Sequence, residues 1–220
     1  MKTLSTVCIS FPSLKLQPSD GHKLRGYFAT WYREKSDLLH NHKKEGESIY
    51  RYPLVQYKVL RRIPTIVGIG EGARLLIELF LELNQLIIGD QTFPLNAKNI
   101  QSRQALVEVG AERYSYIFLS PWLALNQQKY NEWRVADEEE RARILHANLE
   151  RNIQSFLKAA GVFAESRIIT ALRVKPEPVK FKGETMTAFR GEFTVNALLP
   201  DLIGLGKSVS RGFGVIQKIS

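Results

Sequence analysis

Residues 3–14 alternate apolar and polar positions, the period-two pattern of a half-buried strand. Asp20 follows where a helix cap would stand. Behind it the spacing predicts a helix over 21–33, with Leu24, Phe28 and Trp31 on one face. Residues 34–50 (EKSDLLHNHKKEGESIY) are polar and read as a loop. RYPLVQYKVL (51–60) alternates again and is rich in Val and Tyr, a strand that Pro53 places at its start or at an edge. TIVGIG (65–70) is a second short strand. In the predicted helix over 72–83, Arg74, Glu78 and Glu82 form a wet stripe, and Leu75, Leu76, Leu79, Phe80 and Leu83 a dry one. QLIIGDQTF (85–93) reads as one more strand. The order is then β-α-β-β-α-β, the ferredoxin-like arrangement.

The second half predicts strands near 99–109 and 113–119 and a helical tract over about 122–160. Within that tract Asp137 and Glu140 make a capping-box-like start. Leu145, Leu149, Ile153 and Leu157 repeat every four residues, and Gly161 is a stop signal. IITALRV (168–174), a short VKFKG piece and TMTAFRGEFTVNA (185–197) follow as extended segments; Phe189, Phe193 and Val195 share a face in the last. A glycine-rich loop and a final strand, GVIQKI, close the chain. Strands on both sides of helices again imply an α+β domain.

Composition narrows the class. The chain has 220 residues, 44% of them hydrophobic, which suits one large or two small globular domains. Cys8 is its only cysteine, so no intrachain disulfide forms and a reducing compartment fits. The alternating N-terminus does not read as a signal peptide. The most apolar stretch is interrupted by Glu78 and Glu82 and falls short of a membrane span. We therefore expect a cytoplasmic protein with no membrane partner. The net charge is +9, and its distribution is uneven: residues 1–62 carry +7, 63–166 carry −3 and 167–220 carry +5. Basic ends with a pI near 9.7 point to a polyanion.

Two segments carry candidate chemistry. The first is LLHNHKK (38–44), which holds His40 and His42 with Lys43 and Lys44 behind them. Two His and an Asn do not fill a tetrahedral metal site, and Asp37 and Glu45 are the only close carboxylates, so no metal is expected. A solvated polar loop is one reading. The other is acid–base chemistry. Histidine titrates near neutrality, and RNA carries its own nucleophile in the 2′-hydroxyl. His40 and His42 would act as base and acid, and Lys43, Lys44 or Lys58 would supply a cation. The second segment is GLGKSVSRGFG, in which Gly204, Gly206, Gly212 and Gly214 frame Lys207, Ser208, Ser210 and Arg211. A P-loop fails because Asp201 stands where its first glycine must be. A dinucleotide fingerprint fails at Val209. What remains is a long hairpin tip or a cradle of backbone N–H groups for phosphates.

The spacing GhGxxxxxGhG (h apolar) before a final strand resembles the signature of the RAMP superfamily of CRISPR-associated RNA-binding proteins. LRGYF, LLHNHKK, YRYPLVQYKVL and IVGIGEGARLL resemble the N-terminal half of its pre-crRNA-processing endoribonucleases. The resemblance implies an α+β fold of two ferredoxin-like (RRM-like) domains in tandem, which we place at 1–96 and 97–220. It implies a catalytic histidine in the loop after the first helix, where His40 and His42 stand. It also implies RNA contacts from the glycine loop, a CRISPR repeat transcript as partner, and products ending in a 2′,3′-cyclic phosphate and a 5′-hydroxyl. No cofactor is implied. The alternative is a non-catalytic subunit that holds guide RNA with other CRISPR-associated proteins. A monomer and a homodimer both remain open.

Overall fold

The computed structural model describes residues 1–39, 51–164, 166–181 and 183–219. The chain forms two compact units.

The first unit comprises Thr3–Ala105 and, from the far end of the chain, Ser210–Gly212. It opens with β1 (Lys2–Ser10), α1 (Gly21–Trp31), β2 (Val55–Leu60), β3 (Ile63–Ile69) and α2 (Glu71–Glu82). β1 and β2 each pair antiparallel with β3; Tyr57 and Ile9 both stand opposite Ile66. The two helices cover the face formed by Val7, Ile9, Val55, Tyr57 and Ile66, adding Leu24, Phe28, Leu76 and Leu79 to one core. On α1 the dry face is Leu24, Tyr27 and Phe28, spaced i, i+3, i+4. Trp31, expected there, is 60% exposed because the helix ends at it. Asp20 precedes the helix, but its carboxylate accepts from Gln17 N (2.9 Å) and pairs with Lys23 (3.0 Å) and makes no cap bond. α2 buries Leu75, Leu76 and Leu79 as its periodicity predicts.

Residues 85–93 differ from expectation. They form a hairpin of β4 (Gln85–Ile88) and β5 (Gln91–Pro94), a two-stranded sheet of its own. Gly89 turns the chain with φ of +62°, which a single strand would not tolerate. The strand beside β1 is instead the start of β6 (Asn99–Phe118), where Gln104 Nε2 donates to Ser5 Oγ at 3.0 Å. The order β2-β3-β1-β6 is the ferredoxin-like sheet with its fourth strand supplied later in the chain.

The second unit takes Leu106–Val209, Phe213–Ser220 and Met1–Lys2. The two strands expected between 99 and 119 are one, β6, with a register shift between Val109 and Tyr114. The helical tract is two helices, α3 (Gln127–Val135) and α4 (Glu138–Ala160). Asp137 caps α4 by accepting from Glu140 N at 2.9 Å, and Gly161 ends it at φ of +66°. α4 buries Leu145, Leu149, Ile153 and Leu157. Its Asn152 accepts from Trp122 Nε1 at 3.0 Å, and Trp122 stacks on Phe118 with centroids 5.2 Å apart. β7 (Thr170–Phe181) joins both predicted pieces and pairs with β8 (Glu184–Leu198) along its whole length. Pro176 and Pro178 sit two apart on this outermost strand, so both missing N–H groups fall on the same edge. The short β9 (Ile216–Lys218) pairs with β6.

Candidate active site

β2 organises the first unit's chemistry. Its alternation sends Val55, Tyr57 and Val59 into the core and Gln56 and Lys58 to the opposite face. That second face is buried as well: Gln56 and Lys58 are both 0% exposed. Lys58, expected to face RNA, is therefore enclosed. Its Nζ donates to Gln56 Oε1 at 2.7 Å, while Gln56 Nε2 donates to the Tyr52 hydroxyl (2.9 Å) and to Pro53 O (3.0 Å). Burial is the main cause that pulls the Lys58 amine down to about 7; Cys8 nearby acts in the opposite direction. Burial pushes Cys8 up.

His40, His42, Lys43 and Lys44 lie outside the described residues, which stop at Leu39 and resume at Arg51. Both flanks are tied to β2. Leu39 is 1% exposed, and its carbonyl accepts from the Tyr57 hydroxyl at 3.0 Å. Tyr52 is 9% exposed and holds Gln56 as described. Among the described residues no group of three His, Cys, Asp or Glu side chains could hold a metal ion.

The glycine loop serves packing at most of its glycines. Gly206 has φ of +96°, and a Cβ there would meet Trp122 Nε1 at 2.6 Å and Leu123 O at 2.8 Å. A Cβ at Gly214 would overlap Leu205 O, and one at Gly204 would meet Val209 Cβ at 2.7 Å. Three backbone N–H groups of the loop bond inside the protein. Leu205 N donates to Gly214 O, Lys207 N to Leu123 O and Gly214 N to Pro121 O, all within 2.8–2.9 Å. The Lys207 side chain is exposed; Ser208, Ser210 and Arg211 are half-buried.

The tip behaves differently. Ser210, Arg211 and Gly212 belong to the first unit. A Cβ at Gly212 would meet Tyr57 O at 3.2 Å and Lys58 Cα at 3.4 Å, so the tip rests on the β2 backbone. A Cβ at Gly21 would meet Arg211 O at 2.7 Å, so the same tip also rests on the first turn of α1. Arg25, one turn further along α1, is half-buried. Its pKa is pushed down by burial and by the Arg211 charge; burial lowers that of Arg211.

The model of the Cas6b N-terminal domain matches residues 2–105, and that of the Cas6b C-terminal domain matches residues 108–219. The chain belongs to the Cas6b family. A solved Cas6b structure is 35% identical with a TM-score of 0.93, covering 99% of this chain and 100% of the other. A second, described as a CRISPR RNA processing endoribonuclease Cas6b, is 32% identical with a TM-score of 0.80 over the same shares. An uncharacterised protein of Methanocaldococcus jannaschii is 35% identical over 112 residues, 50% of this chain and 76% of its own length. The Cas6b fold is thus α+β, two ferredoxin-like RAMP domains in tandem. No helix among the described residues is long and apolar enough to cross a membrane. Arg25, which the sequence pattern does not single out, is half-buried on α1 directly after the buried Leu24 of LRGYF.

Proposed function

We propose that this Cas6b chain cuts precursor CRISPR RNA within its repeats, by attack of the RNA's own 2′-hydroxyl and without a metal ion. The observation that carries this reading is its likeness, over 99% of its length, to a Cas6b described as a CRISPR RNA processing endoribonuclease. The catalytic groups we assign are His40 and His42. One accepts the 2′-hydroxyl proton; the other donates to the departing 5′-oxygen, leaving a 2′,3′-cyclic phosphate and a 5′-hydroxyl. Three features support the assignment. Leu39 and Tyr52, described residues on either side of the histidine segment, accept hydrogen bonds from the β2 side chains Tyr57 and Gln56. The loop tip bearing Arg211 rests on that same strand. The cations Lys43, Lys44 and Lys207 supply charge for the phosphate backbone. Lys58 acts from beneath. It fixes Gln56, and through it Tyr52, and does not touch RNA.

End-labelled repeat RNA incubated with the protein in excess EDTA tests this reading. A single defined cut with a 5′-hydroxyl on the downstream fragment is expected. Loss of cutting in EDTA, or a 5′-phosphate product, would overturn it.

A further inference from the structure

We propose that Trp31 is a stacking platform for one unpaired base of the RNA. The platform rests on the RNA-processing reading above and adds to it a base contact from the last residue of the first helix.

Trp31 ends α1 and stands 60% exposed, whereas Trp122 is fully enclosed and Trp133 half-buried. The exposed indole is nevertheless held. Its ring lies 6.2 Å from that of Tyr27, one turn back on the same side of the helix, with 33° between the planes. Tyr27 is itself fixed: it is buried, its ring meets Phe28 edge-on at 5.2 Å, and its hydroxyl donates to Gln85 O at 2.8 Å. Trp31 is thus an aromatic surface on a rigid support, and little side-chain freedom is lost when a base stacks on it. The same rings lead towards the histidine segment. Phe28 packs on Tyr57 at 5.3 Å, and the Tyr57 hydroxyl donates to the carbonyl of Leu39, the last described residue before that segment. One aromatic cluster carries both Trp31 and Leu39, so a base stacked on the indole is held at a fixed distance from the start of the segment. Charge identifies the occupant. Residues 1–62 carry a net +7, α1 contains no carboxylate, and Arg33, two residues past the indole, is exposed. An apolar ring in basic surroundings suits a polyanion with flat π-faces, which is single-stranded RNA. An apolar side chain of a protein partner would use the ring but not the charge.

The test has two arms. In the first, repeat RNA carries an abasic nucleotide at one position at a time, and affinity is measured for wild type, Trp31→Leu and Trp31→Tyr. Wild type should lose affinity roughly tenfold at one position. Trp31→Leu should bind intact RNA correspondingly more weakly and lose nothing further at that position, and Trp31→Tyr should keep part of the affinity. In the second arm, tryptophan fluorescence is quenched with acrylamide in the presence and absence of RNA. The quenchable component that Trp31→Leu removes should be shielded by RNA in the wild type. A Leu variant that binds intact RNA as tightly as wild type or as the Tyr variant would overturn the platform. So would an abasic penalty that Trp31→Leu leaves unchanged at every position, or an indole that RNA does not shield. Wild-type protein that binds repeat RNA with Trp31 shielded but does not cut it would keep the platform and refute the processing reading. Cutting by the wild type, with the Leu variant binding and cutting equally well, would do the reverse, so the two failures are separable.

Discussion

Replacing Lys58 by Met should stabilise the protein near neutral pH and destabilise it in alkali. The Lys58 amine is fully enclosed, with its pKa lowered from 10.5 to about 7. At and below pH 7 the folded protein therefore holds a proton on a group that the unfolded chain protonates far more readily. That difference costs about 5 kcal/mol of folding stability. As pH rises from 7 towards 10.5 the folded form is neutral while the unfolded form still binds a proton. The penalty shrinks through that window and vanishes above it. Methionine has a similar length and removes the penalty, but it leaves Gln56 Oε1 without its 2.7 Å donor, at a cost of about 1–3 kcal/mol. The variant should gain about 2–4 kcal/mol near pH 7 and lose about 1–3 kcal/mol near pH 10.5, changing sign in between. Urea unfolding of both proteins across this range measures the difference, and groups common to both drop out of it. A gap that does not change with pH, or a variant less stable at pH 7, would refute the reasoning. Because Lys58 is enclosed, the salt dependence of RNA binding should be unaltered.

Alanine at His40 or His42 should each slow cleavage by roughly 10²–10⁴-fold with little change in RNA affinity. The wild-type pH–rate profile should be bell-shaped, with one limb lost in each variant; two variants that cut at the wild-type rate would remove the histidines from the chemistry. Gly21→Ala improves helix propensity by about 1 kcal/mol, yet its methyl would meet Arg211 O at 2.7 Å. We expect RNA affinity to fall while the protein stays folded, and unchanged affinity would show that the loop tip does not need that seat. Replacing Lys207 and Arg211 together by Gln should weaken binding and reduce the slope of log K against log salt by about 2. An unchanged slope would mean that neither side chain meets a phosphate.

Where burial follows a single period, the sequence predicted the fold well. The dry stripe of α2, the four-residue repeat of α4 and the caps at Asp137 and Gly161 all stand as their pattern implies. Residues 85–93 fold as a hairpin where the pattern predicts one strand, because Gly89-Asp90 inside the apolar run makes a two-residue turn. The predicted helical tract divides between Val135 and Glu138, where Asp137 caps a new helix. β7 runs on through Pro176 and Pro178 past the predicted 168–174 piece, which its outermost place in the sheet makes possible. At the candidate site, alternation correctly put Lys58 opposite the core but says nothing of depth, so a buried amine looked like a solvent-facing cation. The glycine spacing was legible, whereas each glycine's purpose was not. Gly206 is set by Trp122, Gly212 by the Tyr57 carbonyl and Gly214 by Leu205 across the loop itself.

The proposed mechanism makes the RNA's own 2′-hydroxyl the nucleophile. A repeat RNA with a single 2′-deoxy nucleotide immediately 5′ of the cut tests it most directly, with binding and cleavage measured on the same molecule. Wild-type affinity, no detectable cleavage at that linkage, and normal cleavage when the deoxy nucleotide is moved one position away are expected. Cleavage of the deoxy-substituted linkage at the wild-type rate would contradict it.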